Sequence, residues 1–335
     1  MKYCFRILWR ATGVAAFLIS STTAYAATCN TVGSSGSVAF SIAVASNFYA
    51  PLNSLATTYA NSQGYKITLC QDSSGNLYNS IVPSNSPQYA IFFSADTSKP
   101  ADVVTQKLNY ASPVNYAKGI PAFVLSPNAY AATSGSYRAA NYLTTALAAG
   151  SGASAVRSSS SLPAIPNYVK LKRSPSSPAV TYLAVGDPSV APYGVAAGQI
   201  MGRDSLFTNN MHQWPGDGNL GTAGSNVSAN CSAFLSAGQW VCKYSNIDYT
   251  LQAVANNRVT AGFVSYAQVC SVWAGSAYAA DQYVLFPDYY TTQAYVELTV
   301  TSTTAQAYAT AFLSYLGVGG SSWNTWLTNN CYKSL

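Results

Sequence analysis

Short apolar runs alternate with helix-period segments along the first third of the chain. Val38–Val44 has the apolar, β-branched character of a strand, and Pro51–Ser62 spaces Leu52, Leu55 and Tyr59 along one helical face. Tyr65–Leu69 reads as the next strand, Leu77–Val82 as the start of a second helix and Ala90–Phe93 as a third strand. Alternation of strand and helix predicts an α/β fold with a parallel, doubly wound sheet. The pattern weakens over Asn128–Ala179, where Ala, Ser, Gly and Tyr dominate and four prolines interrupt. Only Tyr142–Ala149 reads as helical there. Thr181–Val185 restores a strand and Gly194–Met201 a helix. After a second irregular stretch, Asn209–Gln239, come a helix at Ile247–Ala255 and strands at Ala261–Tyr266 and Gln293–Val300. Helices over Ala305–Leu316 and Trp323–Thr328 end the chain, and no internal repeat is evident.

Three strand ends share one design. SIAVASNF (Ser41–Phe48), QDSSGNLY (Gln71–Tyr78) and AIFFSAD (Ala90–Asp96) each pass from apolar residues through small polar ones into a helical pattern. A helix start carries unpaired backbone N–H groups and partial positive charge, so it suits an anion. Ligands of doubly wound sheets sit beyond the carboxyl ends of the strands, where these turns lie. Ser46, Asn47, Ser73 and Ser74 add side-chain donors without charge. By spacing alone they read equally well as helix caps.

Composition narrows the setting. Residues 1–26 have the form of an export signal, with Lys2, Arg6 and Arg10 before an apolar centre and Ala24-Tyr25-Ala26 as the cleavage site. The apolar run is short for a membrane span, and the residues before Cys29 do not form a lipoprotein box. A soluble periplasmic or secreted chain is expected, without membrane insertion. Three of the 16 basic residues and no acidic one fall in that signal, which leaves 13 basic against 10 acidic side chains. That balance excludes a nucleic-acid footprint. Only 8% of residues are charged, so Ser, Thr, Asn, Gln and the 26 tyrosines must cover the surface.

Six cysteines remain after the signal, an even number that favours three disulfides in an exported chain. Cys231 and Cys242 close a short local loop and form the expected pair. Cys29–Cys70 and Cys270–Cys331 are put forward for the rest without a spacing argument. No CxxC is present and His212 is the single histidine, so neither a metal nor another cofactor is expected. No G-x-S-x-G elbow or other catalytic constellation stands out, and the chain does not read as an enzyme. Asp187 in its GDP turn reads as turn chemistry, Arg203, Lys243 and Arg258 as solvated cations, and Trp240, Trp273, Trp323 and Trp326 as packing residues.

These segments resemble, in order, the periplasmic molybdate-binding proteins of ABC importers, a branch of the type II solute-binding proteins. SIAVASNF is similar to the family's opening strand and turn, SSGNLY to its second turn and FFSAD to the segment before the first crossing. YLAVGDPSVAPYGVAA (Tyr182–Ala197) is similar to its LAVGDP motif, and NIDYTLQAVANNRVTAGFVSYAQV (Asn246–Val269) to a helix and strand that follow. Together they cover about half of the chain after residue 26.

The resemblance implies a two-lobed type II binding-protein fold with a hinge. Lobe I would be residues 27–117 plus 283–335. Lobe II would be 118–282, with irregular insertions near 128–179 and 209–239. It implies a monomer that closes on a small oxyanion and delivers it to an ABC permease. Carried over position by position, it marks Asn47 with Ser46 beside it, Ser73 or Ser74, the backbone of Tyr193 and Ile247, and Ser265 where some members have tyrosine. Ser265 departs from that form, with Tyr266 next to it. Molybdate or tungstate comes first. Sulfate and phosphate stay open, with Asp72 as an acceptor for phosphate's proton. The alternative is the same fold recruited as an extracellular structural or adhesive protein, to which the charge-poor, tyrosine-rich composition points.

Overall fold

The computed structural model describes residues 27–83, 87–132, 139, 142, 171, 179–201, 215–272 and 282–335. The expected export signal, His212, Arg203, Trp273 and all but Tyr142 of the helix expected over 142–149 lie outside the described residues. The chain opens with β1 (Thr28–Val32), β2 (Val38–Ala45), α1 (Ser46–Gln63), β3 (Lys66–Asp72), α2 (Ser74–Ile81), β4 (Ile91–Ser94) and α3 (Ser98–Thr105). β5 (Val114–Gly119) runs almost directly into β6 (Pro121–Leu125). Then follow α4 (Pro127–Ala131), β7 (Leu183–Gly186), α5 (Pro192–Ile200), β8 (Gly221–Gly224), β9 (Val241–Tyr244), α6 (Ile247–Ala255), β10 (Ala261–Ser265), α7 (Tyr266–Val272) and β11 (Tyr283–Leu285). β12 (Thr291–Glu297), α8 (Thr303–Leu316) and α9 (Ser321–Asn329) complete it. Among the described residues no helix is long and apolar enough to cross a membrane.

The strands form two six-stranded mixed sheets flanked by helices, an α/β fold. The first has the order β1-β3-β2-β4-β12-β5, with β2 parallel to both β3 and β4 and the other pairs antiparallel. The second has the order β11-β6-β10-β7-β9-β8, parallel from β10 to β8 and antiparallel at the β6 side. The central strands β4, β7 and β10 are buried along their whole length, as parallel strands covered on both faces must be. The chain passes from the first sheet to the second between β5 and β6 and returns between β11 and β12.

Several elements differ from the sequence reading. Residues ahead of the first strand expected from the sequence hold β1, an exposed edge strand whose Cys29 sits opposite Cys70 and is disulfide-bonded to it. The stretch read as irregular over 209–239 contains β8, the far edge of the second sheet. Cys231–Cys242 and Cys270–Cys331 are bonded as expected.

Helix α1 starts at Ser46, one turn before the proline that reads as its first residue. Pro51 has no N–H to give the carbonyl four residues back, that of Asn47. Tyr332 Oη donates to that carbonyl instead, at 2.8 Å. A residue four from the C-terminal end thereby makes an interior proline tolerable near the start of the chain.

The same region holds the densest aromatic packing. Phe48, fully buried on α1, lies against Tyr116 (4.5 Å between ring centroids), Phe93 (5.4 Å), Tyr332 (5.7 Å) and Trp326 (6.0 Å). These rings come from both ends of the chain, so Phe48 ties the C-terminal helices to the first sheet. Phe48→Ala should cost about 3–5 kcal/mol, as large-to-small aromatic changes in cores do. Urea denaturation of the oxidised protein, read as a lower midpoint at unchanged slope, checks this.

Candidate functional site

Four helices begin at one buried gap between the sheets. Its walls hold Ser46 and Asn47 from α1, Ser74 from α2 with Ser73 before it, Pro192 and Tyr193 from α5 and Ile247 from α6. Ala45, Ala95 and Ala191 complete the walls. The first turn of any helix has N–H groups without intrahelical partners. Two of these helices are capped by their own sequence: Ser73 Oγ accepts from Asn76 N at 3.3 Å, and Asn246 Oδ1 from Tyr249 N at 2.9 Å. The other two carry alanine at the N-cap, Ala45 before α1 and Ala191 before α5, and make no side-chain cap bond. Both alanines are buried. The gap is therefore ringed by helix starts and closed off by buried residues, although little of the surface facing it is polar. No Lys, Arg, Asp or Glu is among its lining residues. It is also tight, ≈ 10 Å³, room for about one water.

Six of the seven residues singled out from the sequence meet here: Ser46, Asn47, Ser73, Ser74, Tyr193 and Ile247. Their side chains do different jobs. Ser46 Oγ is buried with no hydrogen-bond partner. Ser74 Oγ accepts from Ala95 N at 2.9 Å, which leaves its own proton to donate. Asn47 is committed elsewhere, because its Nδ2 donates to Gln293 Oε1 (3.1 Å) and Tyr332 Oη (3.3 Å). What Asn47 offers the gap is backbone, from the first turn of α1. Ser265 does not line the gap. Its Oγ lies 3.1 Å from Tyr193 Oη and reaches the site only through that ring.

Behind the gap is a buried polar knot that sequence reasoning did not identify. Gln293 of β12, fully buried, accepts from Asn47 and from Tyr116 Oη (2.8 Å) and donates to Tyr193 Oη (3.0 Å). It thus joins the first sheet to α5 of the second. Burial pushes the Tyr193 phenol up to about 12 despite these partners, so the ring stays neutral. Gly119 makes the approach possible: a Cβ there would lie 1.9 Å from Tyr193 Oη and 2.2 Å from Gln293 Nε2. A glutamine interrupting an apolar strand was the available signal.

Asp72 is not among the lining residues. Burial raises its pKa, and its Oδ1 accepts from Ser73 N (2.6 Å), Asn76 Nδ2 (3.1 Å) and, across from the second sheet, Asn246 Nδ2 (3.3 Å). A second cross-link is Gly75 N to Val190 O at 2.9 Å. The GDP turn that leads into α5 is built on Asp187, whose Oδ1 accepts from Ser189 N and Oγ, and whose backbone carbonyl accepts from Ala191 N. Lys243, read as solvated, instead pairs with Asp187 Oδ2 at 2.9 Å.

With the geometry in hand, comparison with known proteins is informative. The profile of a family described as bacterial extracellular solute-binding protein matches residues 40–318. Among solved structures the chain is similar to the periplasmic molybdate-binding protein of Azotobacter vinelandii, at 19% identity and a TM-score of 0.57 over 88% of this chain and 98% of that one. It is similar to the substrate-binding protein of an ABC transporter from Agrobacterium tumefaciens (10% identity, TM-score 0.54, 91% and 82% covered). It is also similar to a periplasmic thiamin-binding protein (10%, 0.52, 90% and 83%). At these identities the likeness is one of fold. No curated protein sequence matches.

The Asp187 turn generates a pH prediction. Burial raises this carboxyl, but the bonds from Ser189 and Lys243 outweigh it and hold the pKa below its ordinary 3.8. A depressed folded pKa stabilises above the unfolded value and is lost as pH falls through the folded one. Asp187→Asn should therefore be less stable than the parent at pH 7, with the difference narrowing as pH falls below the ordinary carboxyl value of 3.8. Paired denaturation curves over that descent test it.

Proposed function

We propose, on the premise that this chain belongs to the bacterial extracellular solute-binding protein family, that it captures a tetrahedral oxyanion between two lobes and hands it unchanged to an ABC permease. In this reading lobe I is residues 27–117 plus 283–335 and lobe II is 118–282, exported to the periplasm or beyond. The observation that carries it is the convergence of four helix starts on a buried gap, two of them with alanine where a capping side chain belongs. An anion would accept from those N–H groups and from the hydroxyls of Ser46, Ser73 and Ser74, with the helix dipoles aligned toward it. Hydrogen bonds to an ionised acceptor are the strong ones. A donor-only lining favours a fully deprotonated dianion, so molybdate, tungstate and sulfate rank above inorganic phosphate, which keeps a proton at neutral pH. Entry requires the lobes to part and the gap to widen.

Three observations favour a second reading, in which the same fold serves as an extracellular structural or adhesive protein. The gap admits little as it stands, and Cys270–Cys331 covalently joins α7 to the C-terminal segment. Tyr110, Tyr290, Tyr308 and Tyr315 also stand exposed.

Thermal unfolding of the exported, oxidised protein with molybdate, tungstate, sulfate and phosphate separates the two. A ligand at about a hundred times its Kd should add roughly 2.7 kcal/mol of stability. No shift with any anion, in a protein that unfolds cooperatively, would move the assignment to the second reading. Gly75→Ala offers an independent check. Its added Cβ would lie 2.7 Å from Val190 Cα, wedging the halves where they touch. Anion affinity should fall about tenfold or more, with the far-ultraviolet circular dichroism unchanged.

A further inference from the structure

A second, larger chamber adjoins the gap, ≈ 230 Å³ against ≈ 10 Å³, and Ser46 and Asn47 stand in the walls of both. Gln71, Asp248 and Gln268 also line it. Two polar atoms in these walls are buried without a partner: Ser46 Oγ, on a residue 6% exposed, and Gln268 Nε2, on a residue 2% exposed. Gln268 is oriented by its other end, since its Oε1 accepts from Ser265 N at 3.3 Å, so its amide donor is what remains available. Asp248, at the start of α6, gives one carboxylate oxygen to Gln252 Nε2 at 2.7 Å. Burial raises its pKa, so an incoming donor would relieve a desolvated carboxyl. A free buried donor and a carboxylate acceptor in one small chamber suit a group that both accepts and donates, which is a hydroxyl.

The head of such a ligand follows from the gap. A phosphate monoester loses its last ionisable proton near pH 6 and is then a tetrahedral dianion without the hydrogen that inorganic phosphate retains. Its fourth oxygen carries carbon, and the shared wall of Ser46 and Asn47 is where a tail would leave the gap for the chamber.

Resting on the oxyanion reading, we propose that the physiological ligand is a small hydroxylated phosphate monoester, with its head on the helix starts and its hydroxyl between Gln268 Nε2 and Asp248.

The test compares glycerol 3-phosphate with n-propyl phosphate, which keeps the head and chain length and lacks the hydroxyls, alongside molybdate and sulfate. Calorimetry on the exported, oxidised protein should show glycerol 3-phosphate binding at least about tenfold more tightly than n-propyl phosphate. Gln268→Met and, as a second variant that leaves the Ser265 bond intact, Asp248→Asn should each remove most of that preference while changing n-propyl phosphate affinity by less than about twofold. Equal affinity for the two esters overturns the proposal, as do variants that weaken both alike. Binding of molybdate or sulfate with neither ester bound overturns it and leaves the oxyanion reading standing. No binding of any anion by cooperatively folded protein overturns both.

Discussion

Backbone N–H groups in a dry interior need acceptors, and four helices of this chain point their first turns at the same buried gap. Much of the surrounding structure answers that constraint. Ser73 and Asn246 satisfy part of the demand from within. Ala45 and Ala191 supply no capping side chain, in a region where every lining residue is closed to solvent or nearly so, and at α5 Gly194 N turns back to Ala191 O instead. Ordinary capping by serine or aspartate at those two positions would be simple chemistry. Alanine there leaves room and donors for a guest acceptor.

The walls of the gap are fixed by contacts between residues far apart in sequence. Asn47 and Gln293 are separated by 246 positions and Asn47 and Tyr332 by 285. Tyr332 both replaces the hydrogen bond that Pro51 cannot make and packs its ring on Phe48. The polar knot and the aromatic cluster therefore meet at α1, which must be held rigidly if its first turn is to serve as a wall. Gly119 and Gly75 mark two places where the halves come too close for a side chain.

Legibility in the sequence followed the range of the forces involved. Helix α6 was readable to the residue because Asn246 caps it locally and its apolar spacing is helical. The gathering of Ser46 and Ser73 was readable because strand ends that feed helices share one edge of a sheet, whereas Tyr193 and Ile247 came only from the resemblance to the molybdate-binding proteins. β1 was not, since four of its five residues are exposed and it gains its place by pairing with β3. β5, β6, α3 and α7 were left unassigned because they are short and their burial is set by partners elsewhere in the chain. The start of α1 was misread because proline usually opens a helix, and only Tyr332 explains why here it does not. Gln293, Tyr116 and the committed amide of Asn47 belong to the same class of long-range facts.

The two sheets also differ in how much of the chain they wait for. The second draws its strands from one continuous stretch, β6 to β11, whereas the first lacks β12 until residue 297 has been made and lacks the Trp323, Leu327 and Tyr332 part of its core until the last few residues appear. For a polypeptide that emerges from its amino end, the inner sheet can close while the outer one is still open. Cys331, just after α9, reaches Cys270 only when that sequence of events is over. That bond is a chemical record that β12, α8 and α9 have been made: a chain cut before residue 331 cannot form it, and Cys270 is left as a free thiol.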